Sequence, residues 1–494
     1  MSAPASTKRV HFQLRRLEGL LKAIIKNKLA LVGLVFLVGS IFVAAAAPLL
    51  AYSPAGGNIV SGPLSQPSWV MYFPDGYTLS QNVVVVDDPN FNTASSLQAW
   101  SLTASPSALS NLVVAYAPGI SPTGSSSRGS LQLTYAGAGS ATVIVSRTFH
   151  YQYHGPPDSF SASFSAMALG ANVSQPVHLV LAINRVGDEL FTLSDQNVTT
   201  SGSWNESPSL TSARTTVTTP GTATGQTIVP VSARVIFSSA QDYSYQVAVT
   251  FHGHQQVNLD EMQLSTLGTA WGLLGSDSSG SDVWTQFVYG GRISLLVGLS
   301  AAALGIIIGL VIGLVAGFIG SFVDEVLMRF TDMILVLPFL PLLIVLVAIL
   351  GASTYNVILV IGLFSWMGFA RVIRSQVLSL KERTFIEAAR AAGAGPIRIM
   401  RTHIFPNIVS LTYVNLALTV PGAILTQAAL EFLGLGSGSA SWGHMFYLAE
   451  TSDALSAWWW VIPPGIAIAV VSLSFILIGY ALDEIFNPRL RRRR

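Results

Sequence analysis

ISLLVGLSAAALGIIIGLVIGLVAGFIGSFV, from Ile293 to Val323, runs without one charged residue. A helix needs about 20 mainly apolar residues to cross the hydrocarbon core of a bilayer, and a charge inside it is expensive. The stretch is long and clean enough, so it reads as a membrane span. Leu29 to Ala51, Met333 to Ala370, Ile404 to Leu430 and Ala454 to Leu482 are uncharged in the same way. Met333–Ala370 is too long for one span and is interrupted by Gly351, Ala352, Ser353, Thr354 and Asn356, a cluster that includes turn formers. It reads as two helices joined by a tight external loop. The expected class is an α-helical polytopic membrane protein with six transmembrane helices.

Composition agrees. Of 494 residues, 51% are hydrophobic and 10% charged, against about 25% charged in soluble domains. A net charge of +2 gives nucleic acid no purchase, so none is expected as a partner. With no Cys, disulfides, thiol chemistry and thiolate metal sites are excluded. The eight His show no HExxH or comparable spacing, so no metal centre is expected.

Orientation follows from Lys and Arg, which concentrate on the cytoplasmic side. Residues 1–28 hold seven, Arg371–His403 seven and Arg489–Arg494 five; with Arg329 this makes 20 of the 26. Both termini are therefore expected in the cytoplasm of a multi-pass protein of the cell membrane. The first run, basic before it and with Ala44–Ala47 near its end, competes as a signal peptide. It exceeds the usual 7–15-residue apolar region of one, which favours a span. Within 10–28, Leu14, Leu17, Leu20, Leu21, Ile24 and Ile25 fall at helical spacing among basic residues, as in a helix lying on the membrane surface. The expected layout is an amphipathic segment 1–28, helix one at 29–51, an insertion at 52–270, a pre-helix motif at 271–292, helices two to six within 293–482, and a basic tail 483–494. The loop 381–407 is placed in the cytoplasm.

Residues 52–270 have another character: no Lys, 11 acidic against five basic residues, and much Ser, Thr and Gly. Alternating or β-branched runs recur at Val83–Val86, Leu131–Tyr135, Thr142–Phe149, Phe160–Met167, Val177–Ile183, Val235–Phe237 and Tyr243–Phe251, separated by turn residues such as Gly155-Pro156-Pro157. They predict an inserted all-β extracellular domain, sandwich- or jelly-roll-like. The chain's three Asn-x-Ser/Thr sequons, at Asn172, Asn197 and Asn205, all fall there, and are candidates for glycosylation on an outer face.

The most specific stretch lies after the fourth expected helix: Glu387-Ala388-Ala389-Arg390-Ala391-Ala392-Gly393, then Ile404-Phe405-Pro406-Asn407. Phe385–Ala392 is a good helix former, Gly393 breaks it, Pro396 can start a second helix and Pro406 marks the next span. A merely basic cytoplasmic loop would explain the arginines but not this spacing. The stretch resembles the EAA loop of ABC importer permeases of the dipeptide/oligopeptide/nickel family. Asn27–Gly33, Ala47–Leu50, Leu274–Val283, Tyr289–Leu295, Leu433–Gly436, Ser441-Trp442-Gly443 and Asn487-Pro488-Arg489 are similar to the second permease subunit of that family. Ser281 stands where the family usually has Arg. The resemblance covers the membrane part and leaves 52–270 as an unusual insertion. It implies a heterodimer with a homologous permease, two ATPases holding ATP and Mg, an extracellular binding protein, and alternating access. Glu387, Ala388, Ala389, Gly393, Ile404 and Pro406 would couple the chain to an ATPase. No GxxxxGK[ST] pattern is present, so this chain is not expected to bind ATP by that route.

Three features are less specific. Gly305, Gly309, Gly313 and Gly317 line one helix face and allow close helix approach, within the subunit or at a subunit seam. Asp324, Arg329 and Asp332 form either a gate network or an interfacial salt bridge. Trp442 and Trp458–Trp460 read as an interfacial aromatic belt, and Glu431 as an acid at the outer end of helix five. The resemblance implies transport rather than enzyme chemistry, with peptides as the expected substrate; oligosaccharides and nickel are alternatives within the family. A membrane-anchored receptor or hydrolase is the reading from another class.

Overall fold

The computed structural model describes residues 27–486 except 52, 54–58, 188, 208–213, 219–225 and 231. The surface helix expected within 10–28, nearly all of the basic tail and Asn487-Pro488-Arg489 lie outside the described residues. The chain divides into two compact units, one of residues 58–282 and one of residues 1–57 with 283–494.

The second of these is helical. α1 (Lys28–Ala45) starts at Asn27, whose Oδ1 accepts from the backbone N–H of Leu29 at 3.1 Å and whose Nδ2 donates to Glu484 at 2.9 Å. α2 (Val283–Ile319) begins well before the uncharged run and takes in part of the expected pre-helix motif. α3 (Ser321–Val336) and α4 (Phe339–Leu350) meet at an 89° bend. The third helix thus does not start at Met333 as expected. Pro338 lacks an N–H and disfavours helical backbone at Leu337, which breaks the chain there. α5 (Thr354–Phe364) and α6 (Met367–Lys381) follow. The turn between α4 and α5 is held by Asn356, whose Nδ2 donates to the carbonyls of Leu350 and Gly351 at 2.8 Å each. α7 (Thr384–Ala391), α8 (Pro396–Ile399), α9 (Phe405–Phe432), α10 (Trp442–Thr451) and α11 (Trp458–Phe486) complete the unit. Among the described residues five helices are long and apolar enough to cross a membrane, or up to six when the bent pair is counted as one span.

The other unit is built from two antiparallel sheets. One has the order β3 (Leu112–Pro118), β4 (Gly129–Tyr135), β13 (Gln255–Leu267), β6 (Ser159–Leu169), β9 (Trp204–Glu206), with β1 (Val83–Val84) also on β13. The second runs β11 (Gln226–Pro230), β10 (Arg214–Thr218), β8 (Leu190–Val198), β7 (Val177–Arg185), β12 (Gln241–His252), β5 (Ser140–Tyr151), β2 (Ser101–Ala104). Alternate residues of both sheets, such as Leu131 and Leu133, Val143 and Val145, Val247 and Val249, share one core. Val235–Phe237 is not a strand. Ser232 caps a helical turn there, Ala233–Ile236, and Ile236 and Phe237 drop into the core.

Candidate coupling surface and membrane path

α7 ends in a turn that only its sequence explains. The N–H of Gly393 bonds to the carbonyl of Arg390 at 2.9 Å and that of Ala394 to Ala389 at 3.0 Å, the paired bonds of a Schellman cap. Gly393 sits at φ +80°, where a β-carbon is strained. From α7 to the start of α9, four isoleucines, Ile386, Ile399, Ile404 and Ile408, are buried in one cluster with Ile306 of α2 and Phe369, Ile373 and Val377 of α6. Ala389 packs at its edge. Glu387, Ala388, Gly393 and Pro406 remain exposed. Glu387 lies in the first turn of α7, where the helix dipole favours an acid. The loop is therefore a short hairpin pinned through one apolar side, with its Glu-Ala and Gly positions outward. The guanidinium of Arg390 stands 6.0 Å from the ring of Phe318 on α2.

Asp324, Arg329 and Asp332 do not pair with one another. Asp324 takes a two-pronged bond from Arg374 of α6, Nη2 to Oδ2 at 2.6 Å, and Asp332 pairs with Arg371 of the same helix. Arg329 pairs instead with Glu325, one turn away, at 2.8 Å. Sequence reading missed Arg371, Arg374 and Glu325. Acids eight residues apart on one helix, facing arginines three apart on the next basic segment, were the available signal.

The glycine stripe of α2 packs inside the unit. A β-carbon at Gly305 would meet Ser365 Oγ at 2.0 Å, at Gly309 the Trp366 carbonyl at 2.7 Å, at Gly313 the Ala370 carbonyl at 2.5 Å and at Gly317 Val377 Cβ at 2.8 Å. The backbones of α2 and of the α5–α6 break approach where no side chain fits. A cavity of about 250 Å³ lies on the α3–α4 side of the same break, lined by Ile334, Leu337, Phe339, Phe364, Ser365 and Met367 among others.

Two motifs far apart in sequence interlock. The indole Nε1 of Trp442 donates to the Phe287 carbonyl at 3.0 Å, and a β-carbon at Gly290 or Gly291 would lie 3.1 Å from Ser441 or Trp442 atoms. Ser441 Oγ donates to Glu431, which also accepts from Gln427 Nε2 at 3.2 Å. Glu431 is buried, not in water. Trp442, Trp459 and Trp460 are buried too, so the expected belt reduces to Trp458 at 39% exposure.

Comparison with known proteins agrees with these motifs. Residues 309–492 match the family of binding-protein-dependent transport system inner membrane components, and residues 20–67 the N-terminal transmembrane domain of oligopeptide transport permease C. A dipeptide transport system permease protein of Bacillus subtilis (strain 168) is 35% identical over 243 residues, 49% of this chain and 75% of that one. The chain belongs to this permease family. A putative peptide permease of Brucella ovis is 37% identical over 237 residues, 47% of this chain and 78% of its own. A MetNI methionine ABC transporter chain in an inward-facing conformation superposes with TM-score 0.34 at 20% identity, covering 41% of this chain and 95% of that one; at that score the likeness carries no argument.

The permease is thus a multi-pass membrane protein and not an enzyme. Of its sequons, Asn172 and Asn197 are exposed, while Asn205 is half-buried with its Nδ2 donating to the Ser203 carbonyl at 3.0 Å. Where the family usually has Arg, Ser281 donates its backbone N–H to Asp277 Oδ1 at 2.9 Å, and Ser279 gives the same oxygen two more bonds. The Ser279 hydroxyl and the amides of Ser279 and Ser281 thus hold Asp277 here.

Proposed function

We propose that the permease forms half of the translocation pathway of an ATP-driven importer of di- or oligopeptides. A homologous permease supplies the other half, two ATPases bind ATP and Mg, and an extracellular protein delivers the substrate. The observation that carries this reading is the hairpin α7–α8: a Schellman-capped helix pinned by isoleucines on one side and exposing Glu387, Ala388 and Gly393 on the other, with Pro406 exposed at the start of α9. Such a rigid projection passes motion from a soluble partner to α2, α6 and α9 without deforming itself. Peptide as cargo is supported by the dipeptide and peptide permeases that the chain resembles.

In this reading α3 and α4 together make the third of six spans. Both termini and the loop 381–407 are cytoplasmic, supported by residues 1–28, Arg371–His403, Arg489–Arg494 and Arg329 holding 20 of the 26 basic residues. Residues 52–270 form an external β-sandwich. Phe330, Met333 and Val336 on α3, with Val345 and Ile349 on α4, are exposed apolar side chains; they seat the homologous permease beside the pathway. Asp324–Arg374 and Asp332–Arg371 then hold α3 to α6 at the cytoplasmic gate.

Reconstitution tests it. The permease, its homologous partner, the two ATPases and the binding protein are placed in liposomes, and uptake of a labelled oligopeptide is followed. ATP-dependent uptake that needs the binding protein is expected. An assembled complex whose ATPase is stimulated by oligosaccharide-loaded but not peptide-loaded binding protein overturns the cargo. A permease that never co-purifies with an ATPase overturns the coupling role.

A further inference from the structure

Asn258 of β13 is fully buried, and neither its Oδ1 nor its Nδ2 has a hydrogen-bond partner. An amide taken out of water with its bonds unmade destabilises a fold, so it calls for an explanation. The strand sets its direction. Val257 and Leu259, on either side of it, enter the core, and successive side chains of a strand point to opposite faces. Asn258 therefore points to the outward face of its sheet. Ser130 of β4 shares that face, since Leu131 and Leu133 enter the core; it too is fully buried with its Oγ unpartnered.

The register shows what adjoins Asn258. It stands opposite Gln132 of β4 on one side and Met167 of β6 on the other, and Met167 stands opposite Trp204 of β9. Gln256, two residues away on the same face, stands opposite Thr134 and Leu169. The ladder is regular here. It breaks beyond Asp260 at a bulge, and pairing with β6 resumes at Gln263 opposite Ser163. Opposed β-carbons lie about 4.5–5.5 Å apart, so the amides of β4 and β13 run on directly into the thioether of Met167 and the indole of Trp204. Gln132, Gln256, Met167 and Trp204 are all half-buried.

Two further observations narrow what could bind. β4, β13 and β6 are each paired on both sides, so their main chains offer no free edge to an added peptide strand. The adjoining row carries two acids, Asp260 opposite Ser165 and Glu206 opposite the same serine, and none of the residues that face outward around Asn258 is basic. An anion would be repelled.

We infer that this face binds a neutral oligosaccharide. A sugar ring has an apolar face of C–H groups and a rim of hydroxyls that both donate and accept. The C–H face stacks on Trp204 with Met167 beside it, and the hydroxyls bond the amides of Gln132 and Gln256. Gln132 and Met167 are long and unbranched; when they swing aside, Asn258 offers two donors and an acceptor to the next ring. From Asn258 to Trp204 is two strand spacings, about 10 Å, which suits two linked sugars. The site lies wholly within the β unit and is independent of what the membrane path carries.

The test uses the full-length permease in lipid nanodiscs, because maltoside detergents bring a competing sugar. Neutral trisaccharides of glucose, galactose and mannose are titrated by calorimetry, with trigalacturonate and trialanine as comparators. Saturable binding of at least one neutral trisaccharide is expected, and none of trigalacturonate. Trp204→Ala weakens binding about tenfold, the loss of one aromatic contact, and Gln132→Ala weakens it as well; both positions are half-buried. Asn258→Leu abolishes binding while the β unit keeps or gains protease resistance, because an apolar group of similar size replaces an unpartnered amide. Should that variant fail to fold, Trp204→Ala and Gln132→Ala carry the decision. The site is overturned if no neutral trisaccharide binds, if Trp204→Ala binds like wild type, or if trialanine binds through Trp204 in place of sugar. Asn258→Leu with raised protease resistance and unchanged sugar affinity also overturns it, since Asn258 would then be only a structural misfit.

Discussion

Along α2 the helical unit packs by bringing backbones close; the β core packs by burying large rings against one another. Along α2 the contacts with α5 and α6 are made at Gly305, Gly309, Gly313 and Gly317, against carbonyls and small side chains. In the β core Tyr151, Phe237 and Tyr243 are fully buried, with ring centroids 5.1–6.2 Å apart. The solvent explains the contrast. Lipid tails are as apolar as Leu, so a buried ring gains little in a bilayer and close packing with polar pins must serve. In water each aromatic removed from solvent contributes a large hydrophobic term.

The sharpest way to break that comparison is Gly313→Leu. The β-carbon alone would stand 2.5 Å from the Ala370 carbonyl and 2.8 Å from Ile373 Cβ, and backbone cannot step aside cheaply. Separation of α2 from α6 and loss of the assembled membrane unit are expected, read as loss of a monodisperse peak in detergent. Wild-type assembly would show that the stripe is not a close-packing seam.

Phe237→Ala probes the other side. Phe237 is buried among Phe149, Tyr151, Phe160 and Tyr243, and removing such a ring costs about 3–5 kcal/mol. Proteolysis of the β unit should accelerate while the helical unit keeps its detergent peak. If both units fail together, their cores are not independent.

How far the two units could be read from sequence differs for the same reason. A span is an uncharged run, so the apolar helices were legible, and the 89° bend was not, because Leu337-Pro338 lies inside an uninterrupted apolar stretch. Strands are legible only while alternation keeps phase. In β13 the inward residues are Val257 and Leu259 before the bulge and Met262 and Leu264 after it, so the central strand of its sheet has no consistent period and was missed. Glu387 to Gly393 was legible because the cap needs a glycine. The partners of Asp324 and Asp332 were not, since they depend on how α3 lies against α6.

A smaller effect separates coupling from stability. Gly393→Ala places a β-carbon at φ +80° with no neighbour within 4 Å, so only backbone strain of about 1–2 kcal/mol is added. Assembly with the ATPases should survive, with binding-protein-stimulated ATP hydrolysis reduced; Glu387→Lys, exposed on the same hairpin, should act likewise. Full stimulation in both variants would remove α7 from the coupling role.

The smallest expected effect concerns the charges on α3, for which the sequence left open a gate network or an interfacial salt bridge and the structure shows separate pairs. Arg329–Glu325 lies within one helix with side chains 77% and 60% exposed, and an exposed pair one turn apart contributes about 0.3–0.5 kcal/mol. Asp324–Arg374 crosses between helices, and the Asp324 side chain is only 14% exposed. Arg329→Ala should therefore leave the melting temperature of the purified permease almost unchanged, while Asp324→Ala lowers it measurably. Residues without shared partners contribute additively, and coupled ones do not. If the three were one network, the double variant would depart from the sum of the singles by more than about 0.5 kcal/mol. Additivity is expected, because Arg329 turns to Glu325 and leaves Asp324 to α6.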